Sequence, residues 1–88
     1  MKSGEFLIVN KLGLHARASA LFVKTASRFS SEIKLGRDGV EVNGKSIMGI
    51  MMLAAAKGTT VSLTVDGPDE EQAFRELADL IGNGFGEE

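Results

Sequence analysis

Apolar and polar positions along the chain fall into blocks whose spacing switches between alternation and a helical period. Residues 4–10, GEFLIVN, are apolar and β-branched and predict a strand. After Gly13-Leu14-His15, the segment ARASALFVKTASRF at 16–29 predicts a helix. Ala18, Leu21, Phe22, Thr25 and Phe29 recur there at three- and four-residue steps and give one apolar face. Glu32–Leu35 predicts a second strand, Arg37-Asp38-Gly39 a turn, and VEVN at 40–43 a half-buried third strand. Gly44-Lys45-Ser46 leads into a short helix over 47–55, which Lys57-Gly58 ends. Thr60–Asp66 is a β-branched fourth strand. Gly67-Pro68 opens a last helix, with Asp69, Glu70 and Glu71 at its positive end. Its inner face is expected to be Ala73, Phe74, Leu77 and Ile81, and Gly82 its stop. The order is βαββαβα, with short connections and no repeat or linker. Four strands and three helices with apolar faces to cover predict an α+β fold, a mostly antiparallel sheet with the helices on one side.

Composition narrows the class. Eighty-eight residues, 43% of them hydrophobic, make one small domain with a thin core, spanning 1–88. No run approaches the ~18 uncharged apolar residues of a membrane span. The opening MKSGEFLIVN lacks the apolar stretch of a signal peptide. The chain contains no cysteine, which excludes disulfides and thiol chemistry and fits a reducing cytoplasm. A single histidine excludes a multi-histidine metal site. Charge is uneven: residues 1–57 hold nine Lys/Arg against four Asp/Glu, and residues 58–88 one against eight. The acidic end reads as a helix end with a solvated face. The basic part suits an acidic protein better than nucleic acid, because the chain has no Trp or Tyr and no basic cluster interleaved with aromatics.

Residues 39–46, Gly-Val-Glu-Val-Asn-Gly-Lys-Ser, match the phosphate-loop pattern G-x-x-x-x-G-K-S and would place a nucleotide at Lys45 and Ser46. The context rejects that reading. Val40, Glu41 and Val42 alternate as a strand does, and 88 residues cannot hold the crossovers of a parallel nucleotide-binding sheet.

His15 precedes a helix start in Gly13-Leu14-His15-Ala16-Arg17. Helix N-termini present unpaired N–H groups and partial positive charge, so they attract anions and favour a neutral imidazole. A neutral ring nitrogen is a competent nucleophile. A phosphoryl group on it would meet the backbone N–H groups of Ala16 and Arg17 and the Arg17 guanidinium. The same residues also read as a cap histidine beside a surface arginine. Ser46, before Ile47 and Met48, is equally an N-cap and a place where a phosphate would be tolerated. The helix after it is apolar on nearly every side, with Ile47, Met48, Ile50, Met51, Met52 and Leu53. It is a partner patch, a buried helix or a dimer seam.

GLHARAS at 13–19 together with KSIMGIMMLAA at 45–55 resembles the HPr family of histidine phosphocarrier proteins of the phosphoenolpyruvate-dependent phosphotransferase system. The resemblance spans essentially the whole chain. It implies an open-faced β-sandwich, a four-stranded antiparallel sheet with three helices on one face. It implies that His15 takes a phosphoryl group on Nδ1 from phosphorylated enzyme I and passes it to a IIA-type protein, with Arg17 helping to bind the phosphate. Ser46 matches a regulatory serine that an HPr kinase/phosphorylase modifies in many members. Ile47, Met48 and Met51, with Ala20 and Lys24, match the docking patch. Neither a metal nor another cofactor is implied, and a monomer is expected. Ala18 stands where the family usually has proline, which leaves the helix intact but its first turn less stiff. NKLGLHAR and the ending NGFGEE look closer to the nitrogen-related branch, which implies a regulatory phosphorelay rather than sugar uptake. The rival readings are a small-ligand regulatory module and a nucleotide-binding protein.

Overall fold

The computed structural model describes residues 1–87. Its elements are β1 (Lys2–Leu7), α1 (Ala16–Ala26), β2 (Glu32–Arg37), β3 (Val40–Asn43), α2 (Ile47–Met52), β4 (Thr60–Asp66) and α3 (Glu70–Gly82). A short 3₁₀ turn at Gly84–Gly86 follows. The strands form one sheet in the order β1-β4-β2-β3, antiparallel throughout. The expected α+β architecture is therefore observed.

The best-defined strand is β4, whose TVSLTVD buries Val61, Leu63 and Val65 and turns its hydroxyls outward. Its neighbour β2 continues the inner layer with Ile33 and Leu35, β1 adds the half-buried Phe6, and the helices supply Ala18, Phe22, Ile50, Ala73, Leu77 and Ile81. These side chains form a single core under the sheet. The opposite face of the sheet carries polar groups such as Glu5, Lys34, Ser62 and Thr64 and stays uncovered.

Several boundaries differ from expectation, each for a physical reason. β1 begins at Lys2 and ends at Leu7 instead of spanning 4–10, because β4 offers partners from Val65 back to Thr60. Ile8 still points into the core, fully buried, while Asn10 turns out of the strand. α1 stops at Ala26; Leu21 and Thr25 are only half-buried, and Phe29 is buried from beyond the helix end. β2 runs two residues past Leu35. β3 is an edge strand, so Val42 is half-buried and Val40 is exposed. α2 ends at Met52 rather than 55: Ala54 turns to φ +51°, and Arg37 Nη1 takes the carbonyls of Leu53 and Ala54 at 2.8 and 3.0 Å. α3 includes Gly82 and is stopped by Gly84, at φ +62°. Phe74 is half-buried and packs on Phe6, centroids 5.7 Å apart.

The acidic end is less solvated than its composition suggests. Asp69 does not cap its own helix; it accepts the Ser30 and Ser31 amides at 2.8 and 2.9 Å and the Ser31 hydroxyl at 2.5 Å. The Ser31 hydroxyl first, and then the Ser30 amide, hold its carboxyl below the usual aspartate range. A carboxylate lowered on folding contributes stability that is present above its unfolded value of about 3.9 and is lost as pH falls through the folded one. Melting temperature should therefore drop as pH goes from about 5 towards 3, and Asp69→Asn should flatten that drop. Circular-dichroism melts across this range check it; parallel curves for the two proteins would contradict the assignment.

Candidate functional site

The segment between β1 and α1 fixes the start of the helix from both sides. Gly13 has φ +66°, and a Cβ there would collide with the Ala55 carbonyl oxygen, so glycine is required by conformation and by space. Leu14 is buried and its amide donates to Ala55 O at 2.9 Å, while the Ser19 hydroxyl donates back to Leu14 O at 3.1 Å. His15 is left in an extended conformation as the N-cap of α1, its carbonyl accepting the Ser19 amide at 2.9 Å. The imidazole makes no capping hydrogen bond. Its side chain is 25% exposed. Ala16 and Arg17 follow as exposed residues of the first turn, whose N–H groups have no intrahelical partners. The site thus combines a ring nitrogen, free helix-end donors and an exposed guanidinium.

Two residues that the sequence did not single out complete it. Glu87 lies beyond the turn after α3, and its Oε2 sits 2.5 Å from His15 Nε2 and 3.7 Å from Arg17 Nη2. Its Oε1 accepts from Asn10 Nδ2 at 3.1 Å, and the same amide nitrogen donates to Gly13 O at 2.8 Å. Asn10 is buried and the Glu87 side chain only 12% exposed, so this end of the chain is not the solvated face expected of it. The Asn10 amide foremost, then the His15 ring, hold the Glu87 carboxyl below the usual glutamate range against the opposing effect of burial. The available signal was Gly84-Phe85-Gly86 followed by an acid, which marks a chain reversal but not its landing place.

Ser46 is the N-cap of α2, its hydroxyl accepting the Gly49 amide at 3.1 Å. Of the six residues of α2 only Ile50 is buried, which removes the fully buried helix as a reading. Ile47, Met48, Met51 and Met52 are exposed, the two outer methionines by about three quarters (76% and 77%). α1 packs against α2. Ala16, Ala20 and Lys24 stand four apart on α1 and share one row of it, Ala20 half-buried and Lys24 exposed. The phosphate-loop look-alike is fully used in structure: residues 40–43 are β3, and Lys45 Nζ donates to Phe29 O at 2.7 Å. Among the described residues no cluster of His, Asp and Glu has the makings of a metal site. Nor is any helix there long and apolar enough to cross a membrane.

Comparison with known proteins identifies the family and the fold. The family model described as the phosphotransferase-system HPr component phosphorylation site matches residues 2–83. The phosphocarrier protein HPr of Neisseria meningitidis serogroup A is 61% identical over 80 residues, covering 91% of this chain and 90% of that protein. A crystal structure of HPr-C-His from Thermoanaerobacter tengcongensis superposes with a TM-score of 0.96 at 55% identity, covering 100% of this chain and 99% of that one. A crystal structure of an HPr dimer from the same organism matches at TM-score 0.79 and 54% identity, covering 99% and 100%. A family model spanning nearly the whole chain, a close curated relative and a superposable fold together place the chain in the HPr family of the phosphotransferase system.

Proposed function

We propose that the protein is a phosphocarrier whose His15 accepts a phosphoryl group from phosphorylated enzyme I and delivers it to a IIA-type protein. The observation that carries this is the imidazole at the start of α1, held in place by its backbone, not spent on capping, and partly exposed. The Nδ1 lone pair forms the new N–P bond as the bond to the donor breaks, and that electron pair leaves with the donor. In such a transfer a carrier mainly positions groups and neutralises charge. Here the N–H groups of Ala16 and Arg17 and the Arg17 guanidinium do so, with no metal or other cofactor in the carrier. Incubation with phosphoenolpyruvate, magnesium and enzyme I, followed by intact-mass analysis, should show one acid-labile phosphoryl adduct. Absence of an adduct with an enzyme I active on another carrier would overturn the reading.

Docking is assigned to Ile47, Met48 and Met51 with Ala20 and Lys24, an apolar surface beside basic residues that suits an acidic partner. The main surface hollows lie along β2 and β3 and around Arg37, away from His15, which favours protein docking over a small-ligand site. His15, Arg17, Asn10 and Glu87 all come from one chain, so a monomer suffices for the chemistry, although dimers occur among the relatives' structures. We place the protein in the cytoplasm, where these partners act. The choice of regulatory phosphorelay over sugar uptake rests on the NKLGLHAR and NGFGEE sequences alone.

Ser46 is assigned as a regulatory phosphorylation site, served by an HPr kinase/phosphorylase. Aspartate caps helices as well as serine does, so Ser46→Asp keeps α2 while adding negative charge beside the docking patch. The variant should bind enzyme I several-fold more weakly at low salt, with the difference shrinking as salt is added. Calorimetric titration at two ionic strengths checks this; equal affinities at low salt would remove the regulatory role.

A further inference from the structure

Beyond α3 the chain is built to return to His15. Gly84, Phe85 and Gly86 take φ values of +62°, +58° and +73°, three left-handed residues in succession. For Phe85, which carries a Cβ, this conformation is unfavourable, and the burial of its ring in the core keeps it there. The turn is closed by Gly86 N to Asn83 O at 3.2 Å and Glu87 N to Gly84 O at 3.0 Å. Gly84 also lies so close to the β1–α1 segment that a Cβ would stand 3.3 Å from the Asn10 Cβ. Glu87 is therefore delivered by an anchored hook, outside residues 2–83 that the family model covers.

At the end of the hook the carboxylate has two donors. Asn10 occupies one oxygen and the His15 ring the other. Asn10 keeps this contact although its Oδ1 is buried with no hydrogen-bond partner among the described residues, an arrangement that costs stability. An ionised carboxylate only accepts, so the proton between Glu87 and His15 belongs to Nε2. A neutral ring with its hydrogen on Nε2 carries its lone pair on Nδ1.

We propose that Glu87, anchored by Asn10, is the positioning residue of His15: it holds the ring in the Nε2–H form, aims the Nδ1 lone pair outwards, and stabilises the ring while it carries the phosphoryl group. This rests on the phosphocarrier reading above. When Nδ1 attacks phosphorus, no proton has to leave; the ring gains positive charge, which delocalises to Nε2, and the Glu87 carboxylate already sits there. When the phosphoryl group departs, the N–P electron pair returns to Nδ1 and the same contact restores the starting form. The logic is that of a carboxylate orienting a catalytic histidine from its far nitrogen.

His15 is the only histidine, so ring signals from ¹⁵N-labelled protein are unambiguous. In the unphosphorylated protein at neutral pH, the Nε2–H proton should be observable, shielded from exchange by Glu87. It should be retained in Glu87→Gln, whose carbonyl still accepts, and lost to fast exchange in Glu87→Ala. With enzyme I, Glu87→Ala should lower the rate of phosphoryl acceptance roughly tenfold or more at unchanged docking affinity, as expected of a charge-assisted contact that strengthens in the transition state. A wild-type ring protonated on Nδ1, or a Glu87→Ala variant with wild-type ring signals and rate, overturns the proposal. The ring signals are read without any phosphoryl donor, so a failure of Glu87 and a failure of His15 as acceptor are told apart.

Discussion

His15→Ala is expected to accept no phosphoryl group at all while remaining folded. The loss should be complete because nothing can replace the imidazole: the chain has no second histidine and no cysteine. A hydroxyl, such as that of Ser46, would give a phosphate ester, which survives acid, whereas a phosphorus–nitrogen bond does not. Acid lability of the adduct on the wild type therefore separates it from a hydroxyl ester, and its disappearance in the alanine variant assigns it to the ring. The fold should survive because the ring is partly exposed and makes no capping bond. The backbone of residue 15, at φ −76° and ψ −179°, is ordinary extended geometry that alanine adopts without strain. Its fixed position comes from Gly13, Leu14 and Ser19, which the substitution leaves in place. What the ring gives up is its hydrogen bond to Glu87. Intact-mass analysis with phosphoenolpyruvate, magnesium and enzyme I, beside a circular-dichroism melt, measures both halves. An acid-labile adduct on the alanine variant would move the acceptor elsewhere and sink the assignment.

The order of elements was legible because periodicity reports which face of each element is buried, and burial dominates in a domain this small. TVSLTVD could only be a strand buried on one face, and Ala73, Leu77 and Ile81 could only line a helix, as they do. Ends were less legible because partners remote in sequence decide them. Lys2, Ser3 and Gly4 have little strand preference, yet they pair with Val65, Thr64 and Leu63 because β4 presents unpaired backbone groups there. Ala54, Ala55 and Ala56 are good helix formers, yet the Ala54 and Ala55 carbonyls are claimed by Arg37 and Leu14, 17 and 41 residues distant in sequence.

The candidate site divides in the same way. The placing of His15 and Arg17 at a helix start, and of Ser46 at another, follows from local chemistry that short motifs record. Asn10 and Glu87 are 77 residues apart, and their meeting depends on where a left-handed turn ends and on how α3 lies across the sheet. Neither the hydrophobic pattern nor the charge count contains that information. By composition Glu87 is one more acid in an acidic tail; in place, it is a carboxylate against the histidine ring.

Phe22→Ala should bring the protein close to unfolding at physiological temperature. Phe22 is fully buried in the middle of α1, between the helix layer and the sheet, and is among the largest of the fully buried side chains. Removing a buried phenylalanine side chain costs about 3–5 kcal/mol, from diminished burial and from the cavity that close neighbours cannot fill. Domains of this kind hold only about 5–15 kcal/mol in total, so the variant should sit near the edge of folding at 37 °C. Urea denaturation should show a lower midpoint with an unchanged slope, because the same surface is exposed on unfolding. Leu12→Ala provides the contrast: Leu12 is 64% exposed, and its truncation should stay within about 0.5 kcal/mol of wild type. Phosphoryl acceptance by Phe22→Ala should fall with the folded fraction and no further, because the backbone that presents His15 is tied down by Leu14, Ala55 and Ser19 rather than by Phe22. A loss of activity at temperatures where the variant is fully folded would mean instead that packing beneath α1 sets the geometry of the histidine directly.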